Sequence, residues 1–391
     1  MGGSIGALDA RPRTADAPVR TLVAVFRSLF LASRAVGGMV RLLTNDDVAE
    51  AVSMPAIVDA LERTYRELGG GTALTRPRTD VHSPAASDGE YYRFKTMGGL
   101  VPAAGVYALR INSDVLRWVE RDGDVVQEKL PRAEGGRYVG LVVLFDAGNG
   151  TPLSIMPDGY VQRLRVGATS AIGADRLARG DAGSFGLLGA GWQADGQVAA
   201  MTEVFDLDWI RVYSPTPESR ESFAERAEAD YGVRVEAVDD PDAAFGADVV
   251  HSATYSRSPV FDVEQLRPGT HLGAINDLEI DQRAPAFCDV TVVHSKVGKE
   301  RDYWTADVNT DDIPYLESDH EKAPSGYPDL GELVTGRAAG RTGDEQITFF
   351  YNNVGTGAQF AAVGALVYEA AVERDLGMDL DTDLFTQRLV P

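Results

Sequence analysis

Two hydrophobic rhythms divide the chain. From residue 40 to about residue 157, short runs alternate apolar and polar positions between Gly, Pro and Asp turns: TRPRTDVHSP, EYYRFKTMGGL, GVYALRINSDV and RYVGLVVLFDAGNGTPLSIMP. A period of two is that of half-buried strands, so this stretch predicts an antiparallel meander. DAGNG is a hairpin turn between two of its strands. Ahead of the meander, VRLLT reads as a strand and NDD as a cap. VAEAVSMPAIVDALERTYREL reads as a helix, ended by the glycines at 69–71.

From residue 160 the rhythm changes. YVQRLRVGATSAIGADRLAR predicts a helix with small residues on one face. Continuous apolar runs then alternate with helical segments: SFGLLGAG, WQADGQVAAMTEVF, WIRVYS, PESRESFAERAEADYG, VRVEAV, PDAAFG, ADVVHSAT, GTHLGAIN and CDVTVVHS. This is the pattern of a parallel sheet covered on both faces, an α/β Rossmann domain following an α+β domain. ITFFYNNVGTGAQFAAVGALVYEAAVERDLG predicts a strand and a long C-terminal helix that returns to the first domain. The boundaries expected are 39–165 with 345–391 for the first domain and 166–344 for the Rossmann domain. Residues 304–330 read as an irregular loop or lid, and 119–136 as a lid or a surface hairpin.

Residues 1–38 carry five Arg and two Asp, and their apolar run is broken by Arg27 and Arg34. That is too short and too charged to span a bilayer. The stretch reads as an extension outside the fold, with Met39 as the start, or else as a targeting peptide.

Charge narrows the partners. Asp and Glu number 59 against 37 Lys and Arg, a formal charge of -22 over 391 residues. Such a field repels phosphate backbones and anionic lipid, so neither nucleic acid nor membrane is expected. Only five of the basic residues are lysines (Lys95, Lys129, Lys296, Lys299 and Lys322). An acidic, lysine-poor chain fits a high-salt cytoplasm, where self-repulsion is screened. Refolding in rising KCl is expected to show increasing stability, and no change would remove that reading. Cys288 is the single cysteine. It predicts a reducing compartment and reads as a small buried hydrophobe at a strand entry. His251 and His271 read as capping or lining a cleft, His82, His294 and His320 as isolated. No pair has metal-ligand spacing, so no metal is expected.

The sharpest motif is Gly189-Ala190-Gly191-Trp192-Gln193-Ala194, a G-x-G-x-x-A turn directly after the apolar strand FGLLGAG. Gly189 supplies the tight turn, Gly191 the close approach to a pyrophosphate, and Ala194 close packing of helix on strand. The pyrophosphate would lie at the helix N-terminus. The next strand ends in Tyr213-Ser214-Pro215-Thr216-Pro217-Glu218-Ser219-Arg220. An acid at the strand end would hold a ribose 2′-hydroxyl. None is there, and Ser214, Thr216 and Arg220 suit a 2′-phosphate, so the cofactor is NAD(P) with NADP favoured. On the first domain, Lys95 lies between aromatic residues in YYRFKTMGGL, with Arg78 in TRPRTDVHS and Arg165 in YVQRLRVGATS. Two arginines and a lysine could clamp a carboxylate, or be three surface cations.

With RPRTDVHS, YRFKTMGG, the long LVVLFDAGNGTPLSIMPDGYVQRLRVGATSAIGADRLAR run, FGLLGAGWQADGQ, RPGTHLGAI and LGELVTGRAAGRTGDEQITFF in this order, the chain resembles the ornithine cyclodeaminase/mu-crystallin family from about residue 41 to 377. The resemblance implies a substrate and dimerisation domain joined to a Rossmann domain, a homodimer, and a small amino or imino acid as substrate. It implies Arg78 and Arg165 on the substrate carboxylate, Lys95 beside the reacting carbon, and Thr169 near the cofactor. Ala253, Thr254 and Ile275 would line the nicotinamide side. The family's cyclodeaminases carry an Asp in GGD text after this point, followed by PGK. Here the text is Ile275-Asn276-Asp277-Leu278-Glu279-Ile280-Asp281. Asp277 is one residue out of register, and Glu279 or Asp281 could compete for its role as general base. Two chemistries are therefore implied: cyclisation of L-ornithine to proline with loss of ammonia, or reduction of a ketimine such as pyrroline-2-carboxylate, with alanine dehydrogenation its near relative. A non-catalytic NADPH-binding protein, like mu-crystallin, is the third reading.

Overall fold

The computed structural model describes residues 38–121, 124–256, 258–303 and 326–387. The expectations for residues 1–37 and 304–325 lie outside the described residues.

The chain opens with strand β1 (Met39–Leu42) and two helices, α1 (Asn45–Ala51) and α2 (Met54–Gly70). Thr44 and Asp47 form a reciprocal cap at the start of α1. Ile57, Leu61 and Tyr65 recur every fourth residue on the buried side of α2, and Gly71 ends that helix at φ 74°. Strands β2 (Leu74–Thr75), β3 (Arg78–Pro84), β4 (Glu90–Val101), β5 (Val106–Arg121), β6 (Asp124–Leu130), β7 (Val139–Asp146) and β8 (Pro152–Pro157) follow. β3, β4, β5, β7 and β8 pair antiparallel in that order, the expected meander. β6 pairs with the far half of β5, so the 119–136 stretch extends the sheet as a hairpin.

Helix α3 (Gly159–Leu177) carries the chain to the second sheet. Its strands are β9 (Ser184–Leu188), β10 (Trp209–Tyr213), β11 (Arg234–Val238), β12 (Val249–Ser252), β13 (His271–Ala274), β14 (Val290–Val293) and β16 (Thr348–Tyr351). All pairings are parallel, in the order β11-β10-β9-β12-β13-β16-β14. The order reverses between β9 and β12, and in such sheets the crevice at that reversal is where ligands bind. Helices α4 (Trp192–Val204) and α5 (Pro217–Tyr231) make the first two crossovers.

Two strands depart from the expected division into domains. β16 inserts between β13 and β14, so the parallel sheet extends past residue 344. β15 (Lys299–Tyr303), expected within the Rossmann region, pairs parallel with β3 at the edge of the first sheet. Short apolar strands such as TFFY are alike in composition whichever sheet receives them, and pairing is decided by tertiary fit.

Past the short helix α7 (Leu330–Val334), the C-terminal helix α8 (Gly357–Arg374) does return to the first sheet. Its N-terminal backbone lies on β4, where a Cβ on Gly99 would fall 2.1 Å from the Ala358 nitrogen. Helices α3 and α4 meet equally closely, since a Cβ on Gly167 would fall 1.9 Å from the Gly196 carbonyl oxygen. These contacts seat α8 on the first sheet and α3 against α4. Cys288 is buried after the short helix α6 (Ala284–Phe287), two residues before β14, as expected of a small hydrophobe at a strand entry. Burial pushes its thiol up to about 12, which keeps it protonated and inert. Among the described residues no helix is long and apolar enough to cross a membrane.

Candidate active site

The turn after β9 is built around Gly189, at φ 115°. Its N–H donates to the Tyr213 carbonyl at 2.8 Å, and a Cβ there would fall 2.4 Å from the Ala253 carbonyl oxygen. Glycine is therefore required on both conformational and spatial grounds. Ala190 and Gly191 follow. A Cβ on Gly191 would meet nothing within 4 Å, and no side chain caps α4 at its N-terminus. The helix thus starts with uncapped N–H groups beside open space, while Ala194 is fully buried against the sheet. These features fit a dinucleotide pyrophosphate.

At the end of β10, Arg220 folds back so that its Nη1 donates to the Ser214 carbonyl at 3.0 Å. Thr216 is exposed at the N-cap of α5 without bonding its own helix. No acid is placed at this strand end.

Glu279 has a different place from the one expected. It is fully buried, and its carboxylate gathers the loops after β12 and β13. One oxygen accepts from the Thr254 N–H at 2.7 Å and hydroxyl at 2.6 Å. The other accepts from the N–H groups of Ile275 at 3.2 Å and Asn276 at 3.0 Å. Burial raises its pKa, opposed by these bonds. It is a brace for the loops carrying Ala253, Thr254 and Ile275, and is not available as a base. Asp281 is likewise engaged. It accepts from the Val263 N–H at 3.1 Å and pairs with Arg283, which first among its partners holds it down to about 2. Arg283 also pairs with Asp262 and Glu264, the other acids of that cluster. Asp277 is half-buried beside Tyr351. Among the described residues no hydrogen bond or ion pair joins its carboxylate to Arg78, Lys95 or Arg165.

One face of the first sheet gathers cations. Register places Lys95 opposite Asp80 on β3 and Asn112 on β5, and Arg93 opposite Asp114. Arg78 donates to Asp80 from Nε at 2.6 Å. Lys95 Nζ lies 3.2 Å from Asp114, which also holds Arg93 at 3.3 Å and Lys129 of the hairpin at 2.5 Å. Arg110 pairs with Asp158 at 2.6 Å and donates to Asn112 at 2.8 Å. Burial first, then Arg93, Arg78 and Arg110, push Lys95 well below the ordinary lysine range, with Asp114 opposing.

Arg165 differs from the other cations. It projects from α3, is 4 % exposed, and makes no ion pair among the described residues. Its Nη1 donates to the Gln359 side-chain oxygen at 3.0 Å, and its guanidinium lies 5.3 Å from the centre of the Phe360 ring. Burial, then Arg110, lower its pKa to about 9. A buried guanidinium without a carboxylate is costly unless an anion arrives.

Gln359 also donates from Nε2 to Tyr65 Oη at 2.9 Å and Thr169 Oγ1 at 2.7 Å. Tyr65 Oη lies 3.0 Å from His294 Nε2, and His294 Nδ1 lies 2.5 Å from the Val354 carbonyl. A carbonyl only accepts, so Nδ1 carries the proton and Nε2 accepts from Tyr65. Thr169, expected near the cofactor, sits inside this network. His294, read as isolated, closes it. Five positions far apart in sequence thereby fix the rotamer of Arg165. The T-x-x-Q cap signal at Thr356–Gln359 was the one local cue to it. His251 and His271, expected to cap or line a cleft, are fully buried against each other beneath the parallel sheet, ring centres 5.7 Å apart.

Residues 39–375 match the ornithine cyclodeaminase/mu-crystallin family. An alanine dehydrogenase of Archaeoglobus fulgidus is 27% identical over 347 residues, covering 86% of this chain and 96% of that protein. A Δ1-pyrroline-2-carboxylate reductase of Bacillus cereus is 32% identical over 244 residues, 61% of this chain and 73% of its own. An archaeal alanine dehydrogenase dimer with bound NAD superposes with a TM-score of 0.68 at 25% identity, over 88% of this chain and 99% of that one. The match spans both sheets, the glycine turn and the cationic face, and the chain belongs to the ornithine cyclodeaminase/mu-crystallin family of enzymes.

Proposed function

We propose that this chain is an NAD(P)H-dependent reductase that transfers hydride to Cα of a small α-imino acid. The observation that carries the reading is Arg165, a buried guanidinium with no carboxylate of its own, held by Gln359 on a face that also presents Arg78 and Lys95. Arg165 and Arg78 bind the substrate carboxylate and aim Cα. When bound, the reduced nicotinamide supplies the hydride. Lys95 holds its proton at the imine nitrogen, and its lowered pKa makes it a ready donor. Hydride at carbon and proton at nitrogen convert C=N to CH–NH. The Glu279 brace keeps Thr254 and Ile275 at the nicotinamide edge. Ser214, Thr216 and Arg220, with no acid at the end of β10, favour NADPH over NADH.

The ornithine cyclodeaminase reading needs a free base beside Cα. The carboxylates of Asp80, Asp114 and Asp158 are all ion-paired, and Glu279 and Asp281 are engaged elsewhere. Among the described residues only the unpaired carboxylate of Asp277 supports that reading. The test is NADPH oxidation with Δ1-pyrroline-2-carboxylate and with 2-oxo acids plus ammonium, against proline formation from L-ornithine with catalytic NAD. Net NADPH consumption at least tenfold faster than any ornithine reaction is expected, with Lys95→Met lowering kcat about 10²-fold. Proline from ornithine without net cofactor change would replace this reading. Binding of NADPH with no turnover of either class would favour a mu-crystallin-like role.

A further inference from the structure

We infer that the substrate is a dicarboxylic amino or imino acid, with a second carboxylate on its side chain. The inference rests on the clamp reading above, in which Arg165 and Arg78 take the α-carboxylate.

The warrant is an imbalance of charge on the clamp face. Six cations converge there: Arg78, Arg93, Lys95, Arg110, Lys129 and Arg165. Among the described residues three carboxylates answer them, those of Asp80, Asp114 and Asp158. Among the described residues three positive charges are thus left on this face, in a chain whose net charge is -22. One α-carboxylate neutralises one of them.

The surplus is also distributed. Arg110 and Arg165 lie at one end, both against the Phe360 ring, at 5.4 and 5.3 Å. Arg93 and Lys129 lie at the other end, sharing Asp114 with Lys95. Asp114 and Arg110 are four residues apart on β5, about 13 Å at the usual strand rise. Lys95, opposite Asn112, stands between them. An α-carboxylate seated at Arg165 and Arg78 leaves a side chain running past Lys95 toward Arg93 and Lys129. A carboxylate on that side chain meets a group in which three cations share one acid. A terminal ammonium, as in ornithine, would meet repulsion there. Lys129 is delivered by the β5–β6 hairpin, and its side chain is 32% exposed, so it can move from Asp114 to a ligand.

The test is calorimetric binding of L-aspartate, L-glutamate, L-alanine and L-ornithine to the full chain saturated with oxidised cofactor, alongside NAD(P)H oxidation with oxaloacetate or pyruvate plus ammonium. At least one dicarboxylic acid is expected to bind ten times or more tighter than alanine, with ornithine weakest. Lys129→Gln is expected to shrink the dicarboxylate-to-alanine affinity ratio at least fivefold. Arg93→Gln should do the same, and the half-exposed Lys129 keeps the test intact if that buried variant fails to fold. Alanine or ornithine binding as tightly as the dicarboxylic acids overturns the inference, as does a ratio unmoved by Lys129→Gln. Preferred reduction of a monocarboxylic imino acid would leave the reductase reading standing and remove this one. Selective dicarboxylate binding without hydride transfer would do the reverse.

Discussion

Replacing Arg165 with Gln is expected to lower kcat/KM for the imino acid by roughly 10²–10³-fold while leaving thermal stability without substrate unchanged or raised. The two halves follow from one feature. A buried charged hydrogen bond to a substrate carboxylate contributes about 3–5 kcal/mol when one partner is truncated. The same guanidinium is a burden to the free protein, because burial lowers its pKa to about 9, Asp158 offsets this only in part, and among the described residues no ion pair holds it. Gln is shorter and uncharged, and can still donate toward Gln359. A residue whose role was only structural would show the opposite pattern, a lower Tm with kcat/KM falling in proportion to the folded fraction. Steady-state kinetics and a melting curve on one preparation separate the two.

Below pH 6.5 the protein is expected to lose stability steeply, by about 4 kcal/mol between pH 7.5 and 5.5. His251 and His294 are fully buried, and burial lowers each to about 3. His271 is pushed well below its ordinary value by burial and then by His251. The unfolded chain binds a proton on each near pH 6.5, where the folded chain does not. The folded-state pKa is depressed, so unfolding takes up protons as pH falls and stability drops from the unfolded value downward. At pH 5.5 each histidine accounts for about 1.4 kcal/mol on this linkage. Glu279 works against the trend, because its raised pKa makes the folded form hold a proton more readily. Denaturant unfolding across this range measures the slope, and His251→Gln should flatten it by about a third. A stability constant from pH 7.5 to 5.5 would show that these rings do not sit neutral and buried.

What could be read from the sequence was local, and what could not was set by partners distant along the chain. The turn at Gly189–Ala194 was legible because strand, glycines and helix are adjacent and each residue type answers one steric demand. The two periods separated the antiparallel from the parallel region for the same reason. Arg165 and Lys95 could be singled out, but not the reason they matter. Asp114 sits on a strand among polar residues and looks like any solvated acid until β4 and β6 bring three cations to it. His294 could not be read at all, since its network joins positions 65, 169, 354 and 359. Glu279 and Asp277 are two residues apart and alike in text. Only the folded loops make one a fourfold acceptor and leave the other unpaired.

The proposed reaction moves a hydride between the dinucleotide and Cα of an imino acid. The most direct measurement is isotope transfer: NADPH deuterated at C4 of the nicotinamide, an α-imino acid generated from a 2-oxo acid and ammonium, and mass spectrometry of the amino-acid product. One deuterium, at Cα, is expected in wild type, with the yield falling together with activity in Arg165→Gln. Cofactor oxidation without deuterium at Cα, or an amino-acid product formed with no isotope at all, would contradict it.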